Sequence, residues 1–240
     1  MQVNKIYIED CLKTMAKMPN DFVDYSLTSP PYNVGNNSLN GEGKKYNSID
    51  DKMSDHDYLQ NQINVINELL RVTKNHIFYN IQLLSANKRS VLKLLGHFNN
   101  QIKDVFIWNK KYGVPQMEAG VFNSAYEFII ILSNQKPEKR KFYDCDFQGT
   151  QNNVFQLKNK HSNPFAKQHK AIMPLDLPRH FMQIFGFEND IWYDPYMGTG
   201  TTGVAAILEK KQYIGSEIFK EYGDISEKRI SQHKAQTRLF

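Results

Sequence analysis

The chain has 240 residues, 40% of them hydrophobic and 23% charged, a balance that argues against disorder and suits one packed domain. Its two cysteines, Cys11 and Cys145, argue against a disulfide scaffold or a cysteine-rich zinc site, and no apolar stretch approaches the roughly 20 residues that cross a bilayer. The formal charge of +5 favours a polyanionic partner, and the opening Met1-Gln2-Val3-Asn4-Lys5 lacks a signal-peptide layout, so a cytoplasmic protein is expected.

Residues 6–8 read as a short strand ending at Glu9-Asp10, and a helix over 12–18 follows, closed by Pro19-Asn20. A second strand over 22–27 runs into Thr28-Ser29-Pro30-Pro31-Tyr32, where two consecutive prolines cannot continue a ladder and make a stiff turn. Residues 33–53 are rich in Asn, Gly, Ser and Lys without an apolar period, which predicts a mobile, functional loop. Leu59, Ile63, Ile66, Leu69 and Leu70 fall at helical spacing and predict a helix over 55–73. A buried strand over 76–81, an amphipathic helix over 83–95 and a strand over 102–108 come next. Strands alternating with helices indicate an α/β domain with a mainly parallel sheet.

Residues 125–132 are β-rich and follow a connection with no helical period, so an antiparallel edge pair is expected there. The segment 133–168 is polar and basic with scattered aromatics; Lys136, Lys139, Arg140 and Lys141 form one cluster, and Lys158, Lys160 and Lys167, with Lys170 just beyond, form another close behind. It reads as an insertion on the rim of a single domain spanning 1–240. Helical order resumes over 175–185. A strand over 191–193, a glycine-rich turn, a helix over 202–209, a strand over 213–215 and a terminal helix complete the chain.

The turn Asp194-Pro195-Tyr196-Met197-Gly198-Thr199-Gly200-Thr201-Thr202-Gly203 sits between a strand and a helix, where glycines let a ligand approach the backbone. It lacks the Lys of a phosphate-binding Walker loop, and Glu217 ends the next strand, where an acid can bind ribose hydroxyls. Alone, this pattern supports a nicotinamide or flavin enzyme as well as a methyltransferase. Chain order separates them. Residues 218–240 hold only a helix, so the remaining strands must lie earlier and the sheet is expected to be circularly permuted. That wiring would set strand 6–8 beside the Glu217 strand and the strand ending at Ser29 on the other side of the glycine-rich strand. Gly198, Glu217, Asp10 and Ser29 would converge outside the carboxyl ends of the strands, where such sheets bind ligands.

These residues resemble the β-class DNA amino-methyltransferases, which modify adenine N6 or cytosine N4. In that class the Asp/Asn/Ser-Pro-Pro-Tyr/Phe motif comes first and a Phe-x-Gly-x-Gly motif comes near the C-terminus. Here Ser29-Pro30-Pro31-Tyr32 and Tyr196-Met197-Gly198-Thr199-Gly200 stand in that order. Asp24, the stretch Ser124-Ala125-Tyr126-Glu127 and the stretch Lys170-Ala171-Ile172-Met173-Pro174 after His169 are also similar to the family. The likeness covers nearly the whole chain apart from the loop after Tyr32 and the insertion 133–168. Tyr196 departs from it, standing where the family usually has Phe.

The resemblance implies a Rossmann-like methyltransferase fold, S-adenosyl-L-methionine (AdoMet) as cofactor and double-stranded DNA as partner. By the same likeness Ser29 and the Pro30 carbonyl accept the hydrogens of an exocyclic amine, Pro31 stiffens the loop, and Tyr32 stacks on a base flipped out of the duplex. Glu217 is expected at the ribose hydroxyls and Asp10 at the adenine amino group, although an Asp before a helix is also an ordinary N-cap. Tyr196, Gly198 and Gly200 would line the cofactor with the neighbouring Cys11 and Thr201, and Asp194 would orient the turn. Cytosine C5 methylation needs a Pro-Cys turn, which neither Cys11 nor Cys145 has. The seven histidines show no zinc spacing, and no metal is implied.

Ser at the first motif position is associated in the family with cytosine N4, and Asp or Asn with adenine N6, so cytosine N4 is the expected target and adenine N6 the alternative. Residues 133–168, helped by 33–53, are expected to read the DNA sequence. An RNA or protein methyltransferase and an inactive nucleic-acid binder are the rival functions. Homodimerisation and a companion restriction endonuclease stay open.

Overall fold

The computed structural model of the chain describes residues 1–35, 52–113, 119–145, 147–157 and 173–237. Most of the loop expected over 33–53, the stretch 158–168 of the insertion and His169-Lys170-Ala171-Ile172 lie outside the described residues.

In chain order the elements are β1 (Lys5–Ile8), α1 (Cys11–Met15), β2 (Val23–Thr28), α2 (Asp55–Val72), β3 (Thr73–Ile81), α3 (Lys88–His97) and β4 (Ile102–Asn109). They continue with β5 (Tyr126–Leu132), β6 (Val154–Gln156), α4 (Asp176–Ile184), β7 (Ile191–Asp194), α5 (Thr201–Leu208), β8 (Gln212–Glu217) and α6 (Lys220–Thr237). The strands form one eight-stranded sheet in the order β1-β8-β7-β2-β3-β5-β4-β6. Only β5 runs against its neighbours, pairing antiparallel with both β3 and β4. The antiparallel strand expected at an edge therefore lies further in. The edge itself is β6, a three-residue strand parallel to β4 inside the polar insertion, too short and too exposed to carry a strand pattern.

Two apolar layers cover the sheet, as alternation along the strands requires. Ile129 and Ile131 of β5 face one layer with Phe78, Trp192, Phe181 and Val204. Ile130 and Leu132 face the other with Val65, Ile66, Leu69 and Tyr79. The first layer is roofed by α4, α5 and α6, the second by α1, α2 and α3. Helix α2 starts where the Ser54 hydroxyl accepts the Asp57 amide proton, and it buries Val65 and Leu69 completely. Each such side chain contributes roughly 1.5–3 kcal/mol, far more than helix propensity could. Helix α3 begins later than expected because Asn87 accepts the Leu84 amide proton and closes a turn first.

The described part of the insertion is built into the first layer: Phe142 is buried, and Phe147, Phe155 and Leu157 pack against that layer. Tyr25 donates to Asp144 at 2.7 Å, and His76 lies 2.9 Å from the same carboxylate, pinning this stretch to β2 and β3. The Lys103 ammonium, near the start of β4, holds the carbonyls of Gln135, Lys136 and Lys139. The basic cluster 136–141 thus sits at the amino-terminal edge of the sheet. Among the described residues, no helix is long and apolar enough to cross a membrane.

Candidate active site

The carboxyl edge of the sheet brings the motifs together. Strand β1 pairs in parallel with β8 so that Ile8 stands opposite Glu217, which puts Asp10 just past the Glu217 strand end. Strand β7 lies between β8 and β2, with Tyr25 opposite Trp192 and Ser26 opposite Tyr193. Both strands end at this edge, β2 at Thr28 just before Ser29 and β7 at Asp194 just before the glycine turn. The end of the proline-bearing strand and the glycine turn are neighbours.

The turn is held from three sides. Asp194, almost fully buried, accepts the Tyr196 amide proton at 2.9 Å and the Thr202 hydroxyl at 2.5 Å. Burial lifts its carboxyl from the usual 3.8 to about 6, an effect these hydrogen bonds only partly offset. Glu217 accepts the amide protons of Gly198 and Phe219, both at 2.9 Å, and burial raises its carboxyl above the ordinary range. Arg229 of α6 donates to the Thr199 carbonyl and, at 2.9 Å, to its hydroxyl. Gly198 and Gly200 both take positive φ, at 54° and 84°. A Cβ at Gly200 would meet the Ser226 backbone, whereas one at Gly198 would find only the Tyr196 carbonyl, 3.9 Å away. The space over Gly198 is open.

Around these residues the other sequence-predicted positions take distinct places. Asp10 caps α1 by accepting the Leu12 amide proton at 2.8 Å, the ordinary N-cap arrangement, and stays half-buried. Cys11 is buried, and burial with the adjacent Asp10 pushes its thiol up to about 12. The Tyr196 hydroxyl lies against Cys11 and Gln62, between the turn and helices α1 and α2. Thr201 is buried as the first residue of α5.

Ser29-Pro30-Pro31-Tyr32 is fastened by residues to which the sequence reading gave no role. Tyr58 donates to the Pro31 carbonyl at 3.0 Å, while the Pro30 carbonyl takes no hydrogen bond from the described residues. The Tyr32 hydroxyl donates to Glu127 at 2.7 Å and lies 3.1 Å from the Ser29 hydroxyl. The Asn80 amide reaches Glu127 at 2.7 Å, Tyr32 at 3.0 Å and Ser29 at 3.3 Å. Lys110 closes the cluster on the other Glu127 oxygen at 2.6 Å. Glu127 is the one charged residue of β5, and Asn80 interrupts the apolar run 77–81 that ends β3, which is the signal the sequence offers. Among the described residues, no three His, Cys, Asp or Glu side chains gather as a metal site.

Known proteins resemble the chain in sequence and in fold. The chain is 25% identical to the Type II methyltransferase M2.DpnII of Streptococcus pneumoniae, over 92% of this chain and 87% of that one. Its fold superposes on a PvuII DNA methyltransferase described as cytosine-N4-specific, with a TM-score of 0.73 at 17% identity, covering 98% of this chain and 93% of that one. A second superposition, on the SAM complex of M1.HpyAVI, gives a TM-score of 0.65 at 19% identity, covering 94% and 98%. The profile of the N6/N4 DNA methylase family matches residues 23–228, and the chain belongs to that family of DNA methyltransferases.

Proposed function

We propose that this enzyme transfers a methyl group from AdoMet to N4 of a cytosine flipped out of double-stranded DNA, within a restriction–modification setting. The observation that supports the reading is the adjacency of β2 and β7, whose ends lead into Ser29 and into the glycine turn. AdoMet, when bound, supplies a sulfonium methyl open to attack by a nucleophile.

The residues present fit that cofactor. The open side of Gly198 leaves room at the turn that a Cβ would take up, and Gly200 permits the bend. Glu217 keeps acceptor capacity beyond its two amide partners, so it can take ribose hydroxyls, whose protons would also relieve its desolvation. Asp10 keeps its second carboxylate oxygen for an amino group while the first caps α1. Asp194 holds the turn in shape, with Tyr196, Cys11 and Thr201 packed around it.

The loop does the rest. An exocyclic amine is a poor nucleophile because its lone pair is delocalised into the ring. Ser29 and the Pro30 carbonyl accept its two hydrogens and leave the lone pair free. Pro31, its own carbonyl fixed by Tyr58, stiffens the backbone that presents them. With its hydroxyl anchored, Tyr32 is a fixed ring for the extruded base, whose extraction costs roughly a few kcal/mol. Loss of the Ser29 hydroxyl removes one such interaction, on the order of 10²-fold in turnover.

Sequence reading of the DNA falls to the loop 33–53 and to the part of 133–168 that follows β6 in the chain. Labelled methyl transfer to DNA, RNA and protein side by side tests the proposal. Label in DNA alone is expected, and label in RNA or protein overturns it.

A further inference from the structure

We infer that Glu127, paired with Lys110, is the positioning residue that makes the Ser29 hydroxyl a hydrogen-bond acceptor toward the target amine. The inference rests on the role of Ser29 proposed above. A serine hydroxyl can donate or accept, and only the accepting orientation suits an N–H. Counting protons through the cluster decides which one it adopts.

The count starts at the carboxylate. Glu127 is 7% exposed, with Lys110 2.6 Å from one oxygen, so beside that ammonium it is an acceptor only. Its other oxygen is 2.7 Å from the Asn80 side chain, which must turn its NH2 there, because an amide oxygen would repel the carboxylate. The Tyr32 hydroxyl, also 2.7 Å away, spends its single proton on the same oxygen. Tyr32 then has only lone pairs to offer Ser29 at 3.1 Å, and the Ser29 proton points at Tyr32. The second Asn80 proton is shared between Tyr32 at 3.0 Å and Ser29 at 3.3 Å, and at least one Ser29 lone pair is left for the substrate. Every hydroxyl proton in the chain runs toward Glu127.

Burying an ion pair is costly, and apolar residues could fill this volume as well. What an apolar pair cannot supply is direction. With Gln at position 127, an NH2 facing Tyr32 lets the chain reverse. Ser29 would then present its proton to the amine, donor against donor.

The polarity can be read by binding, without turnover. Two duplexes are compared, one with the natural target base and one with its deaminated counterpart, which carries a carbonyl in place of the amine. Anisotropy with S-adenosylhomocysteine present gives the ratio of their Kd values. Deamination also weakens base pairing, but that contribution is the same for every variant and cancels when ratios are compared. Glu127→Gln is expected to shift the ratio about tenfold toward the carbonyl duplex, and Tyr32→Phe to shift it the same way, since one hydrogen bond changes sign. Glu127→Asp, which keeps the carboxylate, is expected to stay nearer the native ratio than Glu127→Gln. Native ratios in both Glu127→Gln and Tyr32→Phe overturn the inference; if Glu127→Gln fails to fold, Tyr32→Phe decides alone. Ser29→Ala separates this from the parent reading. Normal turnover in Ser29→Ala sinks the role of Ser29 itself, whereas an inactive Ser29→Ala with unshifted ratios sinks only the role of Glu127.

Discussion

The Glu217 carboxylate accepts the Gly198 amide proton at 2.9 Å, stitching the end of β8 to the turn that follows β7. One residue thereby shapes the turn and faces whatever the turn holds. Glu217→Ala is expected to weaken AdoMet binding at least tenfold by calorimetry, in line with roughly 1.5–3 kcal/mol for hydrogen bonds to a charged group. Turnover at saturating cofactor should change less. Tyr32→Ala should do the reverse, cutting turnover strongly while AdoMet still binds. Equal loss of AdoMet affinity in both variants would contradict this division of labour.

The two motifs were legible in the sequence because each rests on local chemistry: Pro30-Pro31 must end a strand, and Gly198 and Gly200 must bend one. The neighbours expected for them, β1 beside β8 and β2 beside β7, are those observed. What escaped was the support that depends on non-local contact. Glu127 lies 95 residues from the hydroxyl it anchors, and no spacing rule connects them. Arg229 looked like one more charge on a terminal helix, yet it is buried against the Thr199 carbonyl. The aromatics of the insertion lacked a period because they pack on the sheet from irregular backbone.

Gly200 and Gly120 share a left-handed backbone, with φ of 84° and 79°, but not a neighbourhood. An alanine Cβ at 200 would approach the Ser226 Cα to 3.0 Å, while at 120 it meets nothing within 4 Å. Gly120→Ala should cost only the conformational penalty, about 1–2 kcal/mol, or a few degrees in Tm. Gly200→Ala should cost more and should also weaken AdoMet binding. Thermal melts with and without AdoMet separate the two, and equal shifts would argue against a tight turn.

Asp194 carries a pH signature. Its carboxyl titrates near 6 in the fold against 3.8 ordinarily, so the folded chain binds the extra proton between those values. This contribution to stability is therefore full below about pH 4 and is lost as pH rises through about 6, on the order of 2–3 kcal/mol. Asp194→Asn should remove it. The stability of wild type relative to Asp194→Asn should fall between pH 4.5 and 7.5 in denaturant titrations, and a constant difference would contradict the assignment.

The basic cluster Lys136, Lys139, Arg140 and Lys141 lies at the amino-terminal edge, the length of β4 from the site, about 25 Å at strand rise. Replacing all four by Gln should change DNA affinity less than twofold at fixed salt. A large loss, together with a shallower salt dependence, would place DNA on that edge instead.

Everything turns on what is made. Purified enzyme is incubated with AdoMet and DNA bearing its target, and the digested nucleosides are weighed by mass spectrometry, with Ser29→Ala alongside. N4-methylcytosine from wild type, formed on the order of 10²-fold more slowly by Ser29→Ala, is the predicted result. N6-methyladenine alone, methylation at cytosine C5, or a wild-type rate from Ser29→Ala would contradict it.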